Sequence, residues 1–373
     1  MKRKILFLIE SLGGGGAEKV LTTIVKYLDT QRFDVTVCVI TAGGKYDEEV
    51  ANYVRLYPLL NRSEKRYGLE RIWYWLKYHL IYDWLSLSWV YKLFLPHGND
   101  VEIAFVEGFA TKLLSYSTNS NAKRIAWVHC DLRNQPWPIQ IGVYKNEKEE
   151  KEVYRKYENV VCVSKQVEQV MIGYYGLSNT MTIYNPLDSV EILRLAKQPP
   201  AMNVDVTKYN IISIGRLEKV KGFDMLIPII NNLHQKGLDV HLWIVGEGTE
   251  GANLKKLVVK YGLENEITFT GFQKNPYALM SKMNLFVCSS RAEGFSLVIA
   301  EAIILGLPVI SLNCAGPQEL IPLCGLGCLC DSYEELELMI QKKVGAAPIQ
   351  EEVKIPFDVE DVIPQIENLL TGC

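Results

Sequence analysis

Short apolar runs alternate along this chain with longer stretches of helical periodicity, and the alternation runs through twice. In the first half, residues 5–9, 35–40, 102–106, 125–129 and 160–163 are brief β-rich apolar runs that end on polar or glycine residues, which predicts strands. Residues 13–16 form a glycine turn, and residues 17–28 set Val20, Leu21, Ile24, Val25 and Leu28 on one helical face. Short strands separated by helices run parallel, because parallel neighbours need a crossover. The turn at 184–188 and the segment Lys197-Gln198-Pro199-Pro200 break the pattern, which then restarts. Strands are expected at 210–214, 240–245, 267–269, 285–288 and 308–311, and helices at 223–234, 254–261, 276–282, 296–305 and 359–370. The fold class is α/β, with two doubly wound domains facing across a cleft at the carboxyl ends of their strands.

A length of 373 residues agrees with two domains. The 48% apolar and 22% charged content excludes disorder, collagen and coiled coil. A net charge of -3 gives no overall field for nucleic acid, but it hides a split: residues 1–200 carry +4 and residues 201–373 carry -7. Nine cysteines, several inside apolar runs such as Val37-Cys38-Val39, read as core residues of a reducing compartment. Cys324, Cys328 and Cys330 lack the spacing of zinc ligands. The charged N-terminus leads into only five apolar residues, too few for a signal peptide, and no apolar run is long enough to span a bilayer. A cytoplasmic protein is expected.

Candidate chemistry lies just past strand ends. The turn Gly215 to Gly222 joins a strand to a helix, where backbone N–H groups and the helix dipole favour an anion, and Arg216 and Lys221 add positive charge. A diphosphate suits this turn; a solvated loop is the alternative, and neither the P-loop nor the dinucleotide pattern is present. Glu301 sits in a helix that is apolar nearly all round, and burying a carboxylate costs several kcal/mol unless it is hydrogen-bonded or paired. Ribose hydroxyls are suitable donors, with a core ion pair as the alternative. Glu293, in the preceding loop, is placed to accept sugar hydroxyls or to favour the helix dipole, and Gly294, Phe295, Ser296 and Leu297 offer N–H groups of a helix start. His129 ends the strand 125–129, with a structural role as the alternative, and Asp131 follows as an acceptor-side base. Glu107 follows the strand 102–106.

Glu293 and Glu301, followed by Gly306-Leu307-Pro308-Val309-Ile310, resemble the signature of retaining GT-B glycosyltransferases of family four. Gly215-Arg216, Lys221-Gly222, the turn Val245-Gly246-Glu247-Gly248 and Gly13 to Glu18 match in the same order, so the similarity spans almost the whole chain. It implies an acceptor-binding Rossmann-like domain at 1–183, a nucleotide-sugar-binding one at 184–356, and a C-terminal helix, 357–373, packed back on the first. A hexose-type sugar would pass with retention from a nucleoside diphosphate sugar, of UDP type, to a saccharide or lipid-linked saccharide in surface polysaccharide synthesis. Arg216 and Lys221 would hold the diphosphate in place of a metal, with no cofactor. Glu293 and His129 would lie at the transferred sugar and Glu301 at the ribose. Gly15, Gly16, Gly215, Gly246 and Phe272 would also line the donor. Asn185-Pro186-Leu187-Asp188 departs from the commoner Asn-Gly-Val-Asp but keeps Asn and Asp. The alternatives are a catalytically silent GT-B subunit that binds a partner transferase or lipid, and another GT-B enzyme such as a sugar-nucleotide epimerase.

Residues 67–94 hold Trp73, Trp75, Trp84 and Trp89, four of the seven tryptophans, with Tyr67, Tyr74, Tyr78, Tyr82, Tyr91 and Phe94. Arg71, Lys77, Asp83 and Lys92 interrupt the belt, and Arg62, Lys65 and Arg66 precede it. Trp and Tyr beside cations suit peripheral contact at the inner face of a cell membrane; a packed helix pair is the alternative.

Overall fold

The computed structural model describes residues 2–61, 69–345 and 355–372, and the chain divides into two compact units. The first comprises Met1–Leu187 and Val359–Cys373, the second Asp188–Asp358. The aromatic and basic positions Arg62, Lys65, Arg66 and Tyr67 lie outside the described residues.

The first unit carries strands β1 (Arg3–Ile9), β2 (Phe33–Ala42), β3 (Arg55–Asn61), β4 (Val101–Ala104), β5 (Lys123–Val128), β6 (Asn159–Cys162) and β7 (Thr180–Thr182). They form one parallel sheet in the order β3-β2-β1-β4-β5-β6-β7. Ile5 to Ile9 are wholly or almost wholly buried, as a strand covered on both faces requires. The helix Val359–Thr371 belongs to this unit: Glu367 accepts the Asp29 N–H at 3.0 Å and pairs with Arg32 at 2.5 Å, and Lys123 Nζ reaches the Leu369 carbonyl at 3.0 Å.

The second unit carries β8 (Tyr209–Ile214), β9 (Val240–Val245), β10 (Ile267–Gly271), β11 (Leu285–Cys288), β12 (Val309–Leu312) and β13 (Cys328–Cys330), again all parallel, in the order β10-β9-β8-β11-β12-β13. Its core packs Leu226, Ile227 and Ile230 of the helix Phe223–Gln235 against Leu242, Ile244, Leu285 and Val287. In both sheets the strand order reverses beside the first strand, between β1 and β4 and between β8 and β11, the position where open α/β sheets bind ligands.

Several expected boundaries move by a few residues, two of them for a clear local reason; the strand expected at 102–106, for example, runs Val101–Ala104. The strand expected at 125–129 stops at Val128, because the His129 N–H turns out of the ladder to the Glu107 carboxylate. The helix expected at 296–305 runs Leu297–Ile304, because Ser296 has φ 67° and stands outside it. The helix expected at 276–282 shortens to Tyr277–Met280. Sequence periodicity missed β3, an edge strand that tolerates Pro58, and the short strands β7 and β13. It also missed the helices Ala315–Cys324, which contains Pro322, and Tyr333–Lys343.

Gly246 has φ 135°, and a Cβ there would overlap the Gly215 carbonyl oxygen, so its lack of a side chain lets the turns after β8 and β9 meet. Gly262 has φ 67° but open space around it. In urea denaturation, Gly262→Ala should cost about 1 kcal/mol, as left-handed backbone does, whereas Gly246→Ala should cost clearly more. Equal losses would contradict the close approach.

Candidate functional site

In the second unit the chemistry gathers at the β8/β11 reversal. Lys221, after β8, donates Nζ–H to Glu293 Oε1 at 2.6 Å, and Ser290 Oγ donates to the same oxygen at 2.7 Å. The ion pair is only partly open to water, with side chains 22% and 10% exposed. Burial favours the neutral amine, but the Glu293 carboxylate outweighs it and holds the Lys221 pKa above the ordinary lysine value. The two loops are laced together. Ser289 Oγ donates to the Lys221 carbonyl at 2.9 Å, the Arg291 N–H to the Val220 carbonyl at 2.8 Å, and the Arg291 guanidinium grips both oxygens of Asp224. Gly222, at φ 67°, is where a Cβ would overlap the Ser289 carbonyl. Gly215 packs against the Lys221 stem. Arg216 is exposed, and its guanidinium has no side-chain partner among the described residues.

Glu301 is 2% exposed and accepts from the Tyr277 hydroxyl at 3.2 Å. Gly294 and Phe295 precede the helix Leu297–Ile304, and Ser296 caps it in left-handed backbone with its hydroxyl buried and unpartnered among the described residues. Phe272 is exposed beyond β10, and its N–H points at Glu247.

In the first unit the expected carboxylates have local partners. Glu107 is buried and accepts the N–H groups of His129 and, at 2.8 Å, Cys130; burial pushes its pKa up against these hydrogen bonds. Asp131 accepts from Arg133 N at 3.0 Å and Asn134 Nδ2 at 2.7 Å, the pattern of a turn-forming side chain rather than a free base. Burial pushes His129 down to about 4, so its ring is neutral at pH 7, and its Nε2 has no partner among the described residues. Of the glycine run, left-handed backbone falls on Gly14, at φ 110°, while Gly15 caps the helix Gly16–Tyr27 in extended conformation and Gly16 begins it. Glu10, which the sequence did not single out, follows β1 and accepts the Phe109 N–H at 2.9 Å.

Residues 196–343 match the profile of Glycosyl transferases group 1 and residues 14–191 that of Glycosyltransferase Family 4, so the two cover both units. A glycosyltransferase of Haemophilus influenzae is 26% identical over 343 residues, 90% of this chain and 88% of that one. This chain is a GT-B glycosyltransferase. A glycosyltransferase of Methanocaldococcus jannaschii is 29% identical over 242 residues, and the match spans 61% of this glycosyltransferase but 57% of that relative. The N-acetylgalactosamine-N,N'-diacetylbacillosaminyl-diphospho-undecaprenol 4-alpha-N-acetylgalactosaminyltransferase of Campylobacter jejuni is 26% identical over 322 residues, 85% of this chain and 83% of that one. The crystal structure of Anabaena HepE in complex with UDP-glucose superposes at a TM-score of 0.74 with 20% identity, covering 99% of this chain and 100% of that one, a likeness of fold.

Besides Glu10, three side chains of the second unit escaped sequence reading: Ser290, Tyr277 and Asp224, which partner Glu293, Glu301 and Arg291. Ser290 had a signal, a serine pair directly after an apolar strand; Tyr277 and Asp224 come from other elements and had none. A double-mutant cycle of Lys221→Met and Glu293→Gln should give a favourable coupling of about 1–3 kcal/mol, between the values for surface and buried pairs. Because the Lys221 pKa is raised on folding, that coupling is present below the ordinary lysine value and is lost as pH rises through the raised one. A coupling near zero at pH 7 would contradict the pairing.

Proposed function

We propose that this chain transfers a hexose-type sugar, with retention, from UDP-sugar to a saccharide or lipid-linked saccharide acceptor in surface polysaccharide synthesis. The observation that carries the reading is the Lys221–Glu293 pair at the β8/β11 reversal, one cation and one carboxylate held 2.6 Å apart, with exposed Arg216 on the same turn after β8. Lys221 spends one of its three N–H donors on Glu293 and keeps two for diphosphate oxygens. As the bond from the sugar's anomeric carbon to the phosphate oxygen breaks, the charge growing on the diphosphate falls to Lys221 and Arg216, the work a metal does elsewhere. The acceptor hydroxyl attacks from the same face, its oxygen bonding to the anomeric carbon and its proton passing to the departing phosphate oxygen. Glu293 takes a hydroxyl of the transferred sugar, and Glu301, nearly buried, takes the ribose hydroxyls. The first unit serves the acceptor, with neutral His129 available as a hydrogen-bond acceptor at the sugar.

The UDP-glucose complex of HepE supports the donor class, and the undecaprenol-linked substrate in the name of the Campylobacter relative supports the acceptor class. A silent subunit is the weaker reading, because both cations and both carboxylates are in place. With UDP-glucose as donor, Lys221→Ala should slow UDP release by about 100-fold, the scale of a lost transition-state donor, and Glu301→Ala should weaken UDP binding at least tenfold by calorimetry. Wild-type behaviour in both variants contradicts the assignment, and an inverted anomeric centre in the product by NMR contradicts retention.

Among the described residues no helix is long and apolar enough to cross a membrane. Trp73, Trp75, Trp84 and Trp89 are each more than half exposed, with Lys77 and Lys92 among them, which supports peripheral contact of this segment with the inner face of a cell membrane. Phosphatidylglycerol vesicles at low salt should sediment the wild type and leave Trp73→Ser/Trp89→Ser in solution. No sedimentation of the wild type rules the contact out.

A further inference from the structure

The aromatic segment carries a second feature that the exposed tryptophans do not explain. Along the helix Leu69–His79 and the following turn Leu80–Trp84, tyrosines recur every fourth residue, and their rings form a ladder. Tyr74 and Tyr78 lie 6.3 Å apart between centroids, Tyr78 and Tyr82 4.7 Å, and Tyr82 and Phe109 4.6 Å, each pair tilted by 33° to 37°. The ladder thus starts on the surface segment and ends on Phe109, at the β1/β4 reversal. There Glu10, directly after β1, holds the Phe109 N–H, and Thr41 lies near the end of β2. Leu80–Trp84 is a π-helical turn, in which the Leu85 N–H reaches back to the Leu80 carbonyl at 3.3 Å; such turns gather at functional sites because they displace side chains from α-helical register.

Tyr78 and Tyr82 remain 40% and 37% exposed although they stack on one another. Aromatic rings that stay partly open to solvent, next to the carboxylate that holds the Phe109 N–H, match the two characters of a sugar ring, whose C–H face is apolar and whose rim is lined with hydroxyls. We propose that Tyr78, Tyr82 and Phe109 form the stacking platform for the acceptor saccharide, with Glu10 and Thr41 taking its hydroxyls. This rests on the reading that the first unit serves the acceptor, and it names the residues that do so. Burial raises the Glu10 pKa while the Phe109 and Ala110 N–H groups oppose it, so the carboxylate stands in a poorly hydrated place where a sugar hydroxyl is a favourable partner. Gly108 permits the arrangement: at φ 92° it turns the chain from β4 towards Phe109, and a Cβ there would crowd Trp137 and Glu10.

The test follows tyrosine ring signals by NMR in the full chain carrying ring-labelled tyrosine, with Tyr78→Phe and Tyr82→Phe to assign them. The probes are octyl β-D-glucoside, octyl β-D-galactoside and octyl N-acetyl-β-D-glucosaminide, all below micelle formation, with octylphosphocholine as the same tail without a sugar. At least one glycoside should shift both the Tyr78 and Tyr82 signals, octylphosphocholine should leave them in place, and Tyr78→Leu or Tyr82→Leu should weaken that glycoside at least tenfold while UDP affinity stays within twofold. Tyr78→Leu is the safer variant, because Tyr78 is the more exposed of the two. The platform is overturned if no glycoside moves these signals, if octylphosphocholine moves them equally, which would make the ladder a lipid contact, or if the leucine variants bind glycoside as the wild type does. Loss of UDP binding by the wild type would instead defeat the donor reading and is seen separately.

Discussion

A parallel sheet that reverses its order beside its first strand leaves two adjacent strand ends from which the chain departs in opposite directions, and no ladder hydrogen bond closes the gap between them. In this protein a carboxylate closes it in each unit. Glu293 spans from the loop after β11 to Lys221 after β8, and Glu10 at the end of β1 holds the Phe109 N–H past β4. The first link joins two charges and the second a charge and a backbone dipole, so the two gaps differ in what they offer a ligand. The second unit presents net cation character, with Lys221 paired once and Arg216 exposed. The first presents partly exposed aromatic rings and the Glu10 carboxylate.

The same constraint explains where the backbone departs from easy conformations. Gly222 and Gly246 occupy left-handed or nearby backbone because the loops they belong to pass within contact of Ser289 and Gly215. Ser296, the one non-glycine residue with positive φ among the described residues, holds a conformation that costs on the order of 1–3 kcal/mol, directly before the helix that carries Glu301. Strain of this kind persists only where surrounding structure over-determines it, and here the Gly316 N–H donates to the Glu293 carbonyl at 3.0 Å while Phe295 packs edge-on to Phe357. Rigid loops therefore carry the charged groups, which keeps the cost of ordering them out of ligand binding.

Much of the fold was legible because buried parallel strands are continuous apolar runs: 240–245 and 285–288 match β9 and β11 residue for residue. The edge strand β10 still showed it, but β3 carries Pro58 among exposed positions and β7 and β13 are only three residues long, too little for a readable pattern. The charged pair was half legible. Lys221 and Glu293 stand 72 positions apart, and strand-end position marked each, but only the sheet order brings them to 2.6 Å. Glu107 and Asp131 show the opposite case, polar groups in the expected place whose lone pairs already serve the backbone. Glu10 carried no signal in the sequence, because an acid after a strand has too many uses to stand out.

Binding of a nucleoside diphosphate at the β8/β11 reversal is measurable by amide hydrogen exchange with and without saturating UDP. Exchange should slow in the segments 215–222 and 289–297, with the strands of the first unit unchanged. Protection that falls elsewhere, or none at saturating UDP, would contradict it.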